Sequence, residues 1–196
     1  TIYVDVIDLV NPTFTVPSDV TVTLDNSCAM DTIPASIGTP TGVSDNCTTS
    51  PIVIYTNDFI NLNECSSTGS FDRIWTVTDN CGNTVSQTQT ITVADTTAPI
   101  LAGVPVDITI ECSAVPIAAT PTATDNCDSD VTITYTEVRT DGICLDGYTL
   151  TRTWVATDNC GNTDIEVQVI TVADTTAPIL AGVPVDITIE CSAVPI

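Results

Sequence analysis

Apolar and polar residues alternate with a period of two along most of the chain, in short runs rich in Val, Ile and Thr. Val106, Ile108 and Ile110 fall on one side of an extended segment, and Asp107, Thr109 and Glu111 on the other. That period belongs to half-buried β-strands, because successive side chains of a strand point to opposite faces. The second half of the chain then predicts strands over 104–111, 117–124, 131–138, 148–157 and 164–172. Trp154 shares a face with Leu150 and Ala156, and Trp75 with Phe71 and Val77, so both tryptophans are expected in the core. Arg152 and Arg73 lie on those same faces, where each can stack on its Trp or pair with a carboxylate at the rim. The fold class expected is all-β, an antiparallel two-sheet sandwich.

Two stretches break the alternation on the side that should be polar. Ile52 and Ile54 stand opposite Val53 and Tyr55, where the later segment has Thr132 and Thr134. Ile165, Val167 and Val169 replace Ser86, Thr88 and Thr90. Apolar residues on an outer sheet face imply a covered surface, a lateral contact with another chain or a neighbouring repeat. A bulge that flips the last strand's register is the other reading.

The sequence repeats itself. "ITVADTTAPILAGVPVDITIECSAVPI" begins at Ile91 and again at Ile170, 79 residues later. A diverged copy precedes both: "VPSDVTVTL" from Val16 answers "VPVDITIE", and "TVTDNCGNT" from Thr76 answers "VATDNCGNT" from Val155. The opening "TIYVDVID" matches "QTITVAD". The expected division is therefore 1–8 as the last strand of a preceding repeat, 9–94 and 95–173 as two whole repeats, and 174–196 as the first strand of a following one. The chain reads as a window on a longer polymer.

Nine cysteines follow the same frame. Cys28, Cys47, Cys65 and Cys81 belong to one repeat, Cys112, Cys127, Cys144 and Cys160 to the next, and Cys191 opens the third. No CxxC spacing supports a zinc site. Regular cysteines in repeats of this size indicate disulfides and an oxidising, extracellular setting. Alternating strand directions put Cys112 and Cys144 at one end of a repeat and Cys127 and Cys160 at the other. A disulfide spans Cα pairs less than about 7 Å apart. Within one repeat this leaves Cys112–Cys144 and Cys127–Cys160, and by register Cys28–Cys65 and Cys47–Cys81, with Cys191 pairing outside the chain.

Charge removes several functions. The net charge is −22, from 25 acidic residues against three arginines, with no histidine. Nucleic acid and anionic lipid are unfavourable partners for such a surface. Without histidine there is no Ser–His–Asp or Cys–His site, and without lysine no Schiff base. No segment approaches the ~20 apolar residues of a membrane span, so no membrane insertion is expected, and no enzyme.

The combined motifs "TRTWVATDNCGNT", "VITVADTTAPIL" and "VPVDITIEC" resemble the immunoglobulin-like, hyalin-repeat-type modules of secreted and surface proteins of Bacteroidota. The resemblance implies an Ig-like sandwich, export to the cell surface and a role in adhesion or extracellular fibres. In that phylum Asp-Thr followed by a small or aliphatic residue resembles an O-glycosylation acceptor, which makes Thr96, Thr175 and Thr32 candidate covalent glycan sites. "NCT" at Asn46 is a weaker N-glycosylation sequon.

The remaining chemistry is acidic. At the end of the repeat that receives "ADTTAP", Asp95 is expected to approach Asp125 and Asp158, together with Asn126, Asp128, Asp130 and Asn159. The corresponding set is Asp8, Asp45 and Asp79, with Asn46 and Asn80. Carboxylates converging at a junction between domains can bind Ca²⁺, which takes six to eight oxygen ligands. Asp-Asn pairs also form turns with no metal at all. The expected function is a non-catalytic structural segment of an extracellular filament or cell-surface stalk, whose partners are neighbouring repeats and other copies of the same protein. An adhesin module binding a glycan or protein through its loops is the alternative.

Overall fold

The computed structural model describes residues 2–62, 65, 68–112, 114–143 and 146–190. Two sandwiches follow one another along the chain. In the first, β1 (Thr13–Thr15) pairs with β3 (Thr41–Ser44), while β2 (Val20–Thr23), β4 (Ile52–Asp58), β5 (Gly69–Thr78) and β6 (Thr84–Ala94) form a sheet in the order β2-β6-β5-β4. One short helix, α1 (Pro34–Ile37), lies between β2 and β3. The second repeats the plan. β7 (Ile100–Ala102) pairs with β9 (Thr122–Thr124), and β8 (Ile108–Ile110), β10 (Thr132–Asp141), β11 (Tyr148–Thr157) and β12 (Thr163–Val172) order as β10-β11-β12-β8.

The two long strands of each repeat match the alternation well, β11 lying where a strand over 148–157 is expected. Of the predicted 104–111 strand only Ile108–Ile110 is paired, as β8, parallel to β12. A short strand that the alternation does not predict, β7, precedes it and pairs in the small sheet. Gly103, at φ +89°, and Pro105, which has no N–H to give a ladder, lie between the two and let the chain cross between sheets. Only Thr122–Thr124 of the predicted 117–124 strand is paired, behind Pro121.

Each core is two small clusters. Phe14 packs with Trp75 and Val77, and Leu24 and Ile37 with Phe71, Ile91 and Val93. In the second repeat Leu101, Trp154 and Ala156 form one, Leu150, Ile170 and Val172 the other. Polar side chains hold the space between them. Gln89 is fully buried; its Nε2 donates to the carbonyls of Ser18 (2.9 Å) and Ile37 (3.0 Å), and its Oε1 accepts from Trp75 Nε1 at 3.2 Å. Amide bonds of this kind satisfy backbone that irregular crossing segments leave unpaired. The sequence pattern did not single out this glutamine or its counterpart Gln168, which donates to Val106 O at 3.0 Å.

Both arginines are structural. Arg73 lies 4.6 Å over the Tyr55 ring and 5.7 Å from Trp75, and its Nε donates to Asn57 Oδ1 at 2.8 Å. Arg152 sits opposite Glu137 in register, as Arg73 does opposite Asn57, and pairs with it at 2.7 Å.

The register of β11 against β12 runs without a shift from Tyr148↔Val172 to Thr157↔Thr163. No bulge turns the last strand over. Ile165 and Val167 therefore stand exposed on the outer face, with Val169 half-buried, and Ile52 and Ile54 are exposed on β4.

The hydrogen bond from Arg152, and then that from Tyr135, holds the Glu137 carboxyl below its ordinary value. A depressed carboxyl adds stability above its unfolded pKa, about 4.3, and loses it as pH falls through the folded value. Glu137→Gln should therefore lower the unfolding free energy at pH 7, by less than about 1 kcal/mol because solvent screens the part-exposed carboxylate, and the difference should be smaller at pH 3. Urea titrations at the two pH values check this; an equal difference at both would refute it.

Candidate functional site at the repeat junction

The turn "TDNCGNT" between β11 and β12 is organised by one carboxylate. Asp158 Oδ1 accepts the N–H groups of Cys160 (2.9 Å) and Asn162 (2.8 Å), and Oδ2 accepts Asn162 Nδ2 at 2.8 Å. Gly161 takes φ +92°, a conformation L side chains rarely adopt. Asp79 does the same for Cys81 and Asn83, with Gly82 also at φ +92°. Burial pushes the Asp79 carboxyl up, but the Asn83 side-chain and backbone hydrogen bonds and those from Cys81 and Gly82 outweigh it and hold it low. The turn sets its cysteine at the tip of the repeat.

The loop after β9 is built the same way. Asp125 Oδ1 accepts from the N–H groups of Cys127 (2.8 Å) and Asp128 (2.9 Å). Asp128 Oδ2 accepts Asn159 N at 2.8 Å and so ties this loop to the next turn, while its Oδ1 accepts Asp130 N. Thr48 takes that place in the first repeat, accepting Asn80 N at 3.1 Å. The linker enters between them: Asn162 Nδ2 donates to Asp95 O at 3.3 Å, and Asn83 Nδ2 to Asp8 O at 3.1 Å. Sequence reasoning grouped Asn159 and Asn80 with the acidic set and missed Asn162 and Asn83. Their position closing the repeated Asp-to-Asn turn was the available signal.

These loops bring Asp95, Asp125 and Asp158 together, with one oxygen of each lying within 4.8 Å of the others, and Asp8, Asp45 and Asp79 form the same group. Asp95 is buried, and its Oδ2 has no hydrogen-bond partner; nor do Asp125 Oδ2, Asn126 Oδ1, Asp8 Oδ2 and Asp45 Oδ1. A buried carboxylate oxygen without a donor is costly. Oxygens left open beside two further carboxylates suit a hard cation.

The disulfides correct the sequence expectation. Cys28 pairs with Cys127 and Cys65 with Cys160, at Cα separations of 5.0 and 5.1 Å, in place of Cys28–Cys65 and Cys127–Cys160. Cys28 and Cys65 lie at one end of the first repeat, and Cys127 and Cys160 at the facing end of the second. The strand directions had not allowed for the end of one repeat facing the start of the next, where the short Cα distances arise. Asn126 Nδ2 crosses the same gap to Asp25 O at 3.0 Å. Cys47 and Cys81 are free and exposed, so the expected Cys47–Cys81 bond is absent. Burial first, then Asp8, pushes the Cys47 thiol up. Cys112 is also free, and the expected Cys112–Cys144 pair and Cys191 involve residues outside those described.

Of the other predicted positions, Thr96 and Thr175 are exposed and Thr32 is half-buried. The Thr175 hydroxyl bonds Glu111, and the Thr32 carbonyl accepts Arg73 Nη2 at 2.5 Å. No helix among the described residues is long and apolar enough to cross a membrane.

Residues 100–172 match the family model of an HYR-like domain with 4 cysteines. No curated protein matches the chain. Among solved structures, the chain is similar to human CDH23 EC21–23 at 16% identity and a TM-score of 0.32, covering 84% of this chain and 70% of that one. Human protocadherin-24 EC1–2 is similar at 14% identity and a TM-score of 0.33, covering 85% and 100%. Drosophila N-cadherin EC1–4 stands at 11% identity and 0.30, covering 84% and 50%.

Proposed function

We propose that this chain is a non-catalytic structural segment of an extracellular filament or cell-surface stalk. It comprises two whole repeats, 9–94 and 95–173, flanked by parts of two others. The observation that carries the reading is the junction, where two disulfides bridge consecutive repeats. A single-chain linker lets two domains swivel. Two covalent bridges beside it make three attachments between the same two bodies, which removes most of that freedom. A repeat joined this way transmits tension and direction to its neighbour, as a long tether requires. The short polar turns at the repeat tips are committed to the junction, which leaves the adhesin reading without a binding loop at this position.

The junction is also the proposed metal centre. Asp95, Asp125 and Asp158 in one junction, and Asp8, Asp45 and Asp79 in the other, would hold Ca²⁺, whose charge offsets the mutual repulsion of the carboxylates. Thr96 and Thr175 are the accessible candidates for O-glycans, with Thr32 less so. Ile52, Ile54, Ile165, Val167 and Val169 would face adjacent threads.

Calorimetric titration with Ca²⁺ should give two sites per chain, and Asp125→Asn should leave one; no heat of binding in the parent, or two sites in the variant, would sink the metal assignment. For the function itself, an antibody against this segment should mark native threads along their length in electron micrographs. Label confined to a distinct tip would favour the adhesin.

A further inference from the structure

Each large sheet ends on two edge strands. One is short in both repeats, β2 with 4 residues and β8 with 3. The other is long, β4 with 7 residues in the first repeat and β10 with 10 in the second. Among the described residues β4 pairs with β5 alone, and no other backbone hydrogen bond reaches Ile52 to Asn57. The far side of such a strand presents a row of N–H and C=O groups, a template for one more strand.

The two long edges stand at equivalent places and differ in how they are protected. Tyr55 lies opposite Trp75 as Tyr135 lies opposite Trp154, which aligns the strands residue by residue. Asn57 then corresponds to Glu137, and Ile52 and Ile54 to Thr132 and Thr134. On the face that Tyr135 shares, β10 carries Glu137, bonded to Tyr135 and Arg152, and Arg139, paired with Asp141. Charges placed this way on an edge deter a second strand, which would have to bury them. β4 has no charge before Asp58, its last residue. Ile52 and Ile54 are 61% and 55% exposed, and Val53 and Tyr55 on the opposite face are open as well. One edge is guarded and the other is apolar on both faces.

The charge of the molecule selects the occupant. With 25 acidic residues against three arginines, most of the surface repels a copy of itself. Ile52 to Asn57 is a stretch where that repulsion is absent. It is also its own complement, since antiparallel pairing about a two-fold axis lets one strand serve on both sides. An axis normal to the sheet keeps the outer faces together, so Ile52 and Ile54 of both copies line one strip of cross-strand apolar contacts.

We infer that β4 is an intermolecular sheet edge whose occupant is β4 of a second copy of this chain, the two four-stranded sheets joining into one. The inference names the partner and the mode of the lateral contact proposed above, and it rests on that reading. Neighbouring threads are then tied through backbone hydrogen bonds at first repeats, while the guarded β10 edges stay free.

The test is sedimentation velocity of the full chain over a concentration series, with free thiols capped by iodoacetamide so that no new disulfide forms. A reversible monomer–dimer equilibrium is expected. Ile54→Lys should abolish the dimer even though it lowers the net negative charge. Val167→Lys puts the same charge on the exposed face of β12, away from the edge, and should leave the dimer in place. Amides between Val53 and Asn57 should exchange more slowly at dimer concentrations in the parent and show no such change in Ile54→Lys. Intact Cys28–Cys127 and Cys65–Cys160 linkages in a peptide map check that both variants fold. A parent that stays monomeric, β4 amides indifferent to concentration, a dimer that survives Ile54→Lys or one lost in folded Val167→Lys would each overturn the inference. Threads labelled along their length beside a monomeric chain would remove the edge contact and leave the filament reading standing.

Discussion

The arrangement depends on a pair of covalent bonds between repeats. Sandwiches this small bury little, and each core here is two clusters of a few side chains. A disulfide acts mainly on the unfolded chain, and the closures from Cys28 to Cys127 and from Cys65 to Cys160 span separations of 99 and 95 residues. For loops of that length the entropic gain is on the order of 4 kcal/mol. Because the closures run between repeats, each repeat's stability becomes partly its neighbour's.

The local chemistry serves that constraint. Asp158 and Asp79 each spend both carboxylate oxygens shaping a turn whose product is a cysteine at the tip. Asp125 and Asp45 do this with one oxygen and leave the other open. The linker Asp95 is fastened by Asn162 through its carbonyl, which leaves its own Oδ2 buried without a donor. Turn formation and the acidic cluster are therefore not competing explanations of these residues. One set of carboxylates does both, with different oxygens.

Much of the fold was legible because strand burial has a period of two. β11 and β5 bury alternate residues along their length, and their tryptophans, arginines and small residues fall where the alternation puts them. β7 was less legible, since the three residues Ile100–Ala102 are too short a run to display a period; Gly103 and Pro105 mark the crossing from it to β8. The buried glutamines were not, because their value lies in carbonyls supplied by distant segments. The acidic group at the junction could be assembled from strand directions alone. The disulfide partners could not, because period and direction describe one repeat, whereas the bonds are decided by how two repeats stack. The outer apolar positions of β12 needed the register, which excluded a bulge.

The most direct measurement is a non-reducing peptide map of the monomeric chain. Linked peptides joining Cys28 to Cys127 and Cys65 to Cys160 are the result this account requires. Peptides joining Cys28 to Cys65 and Cys127 to Cys160 would contradict it, and would return the junction to a flexible linker between independently closed domains.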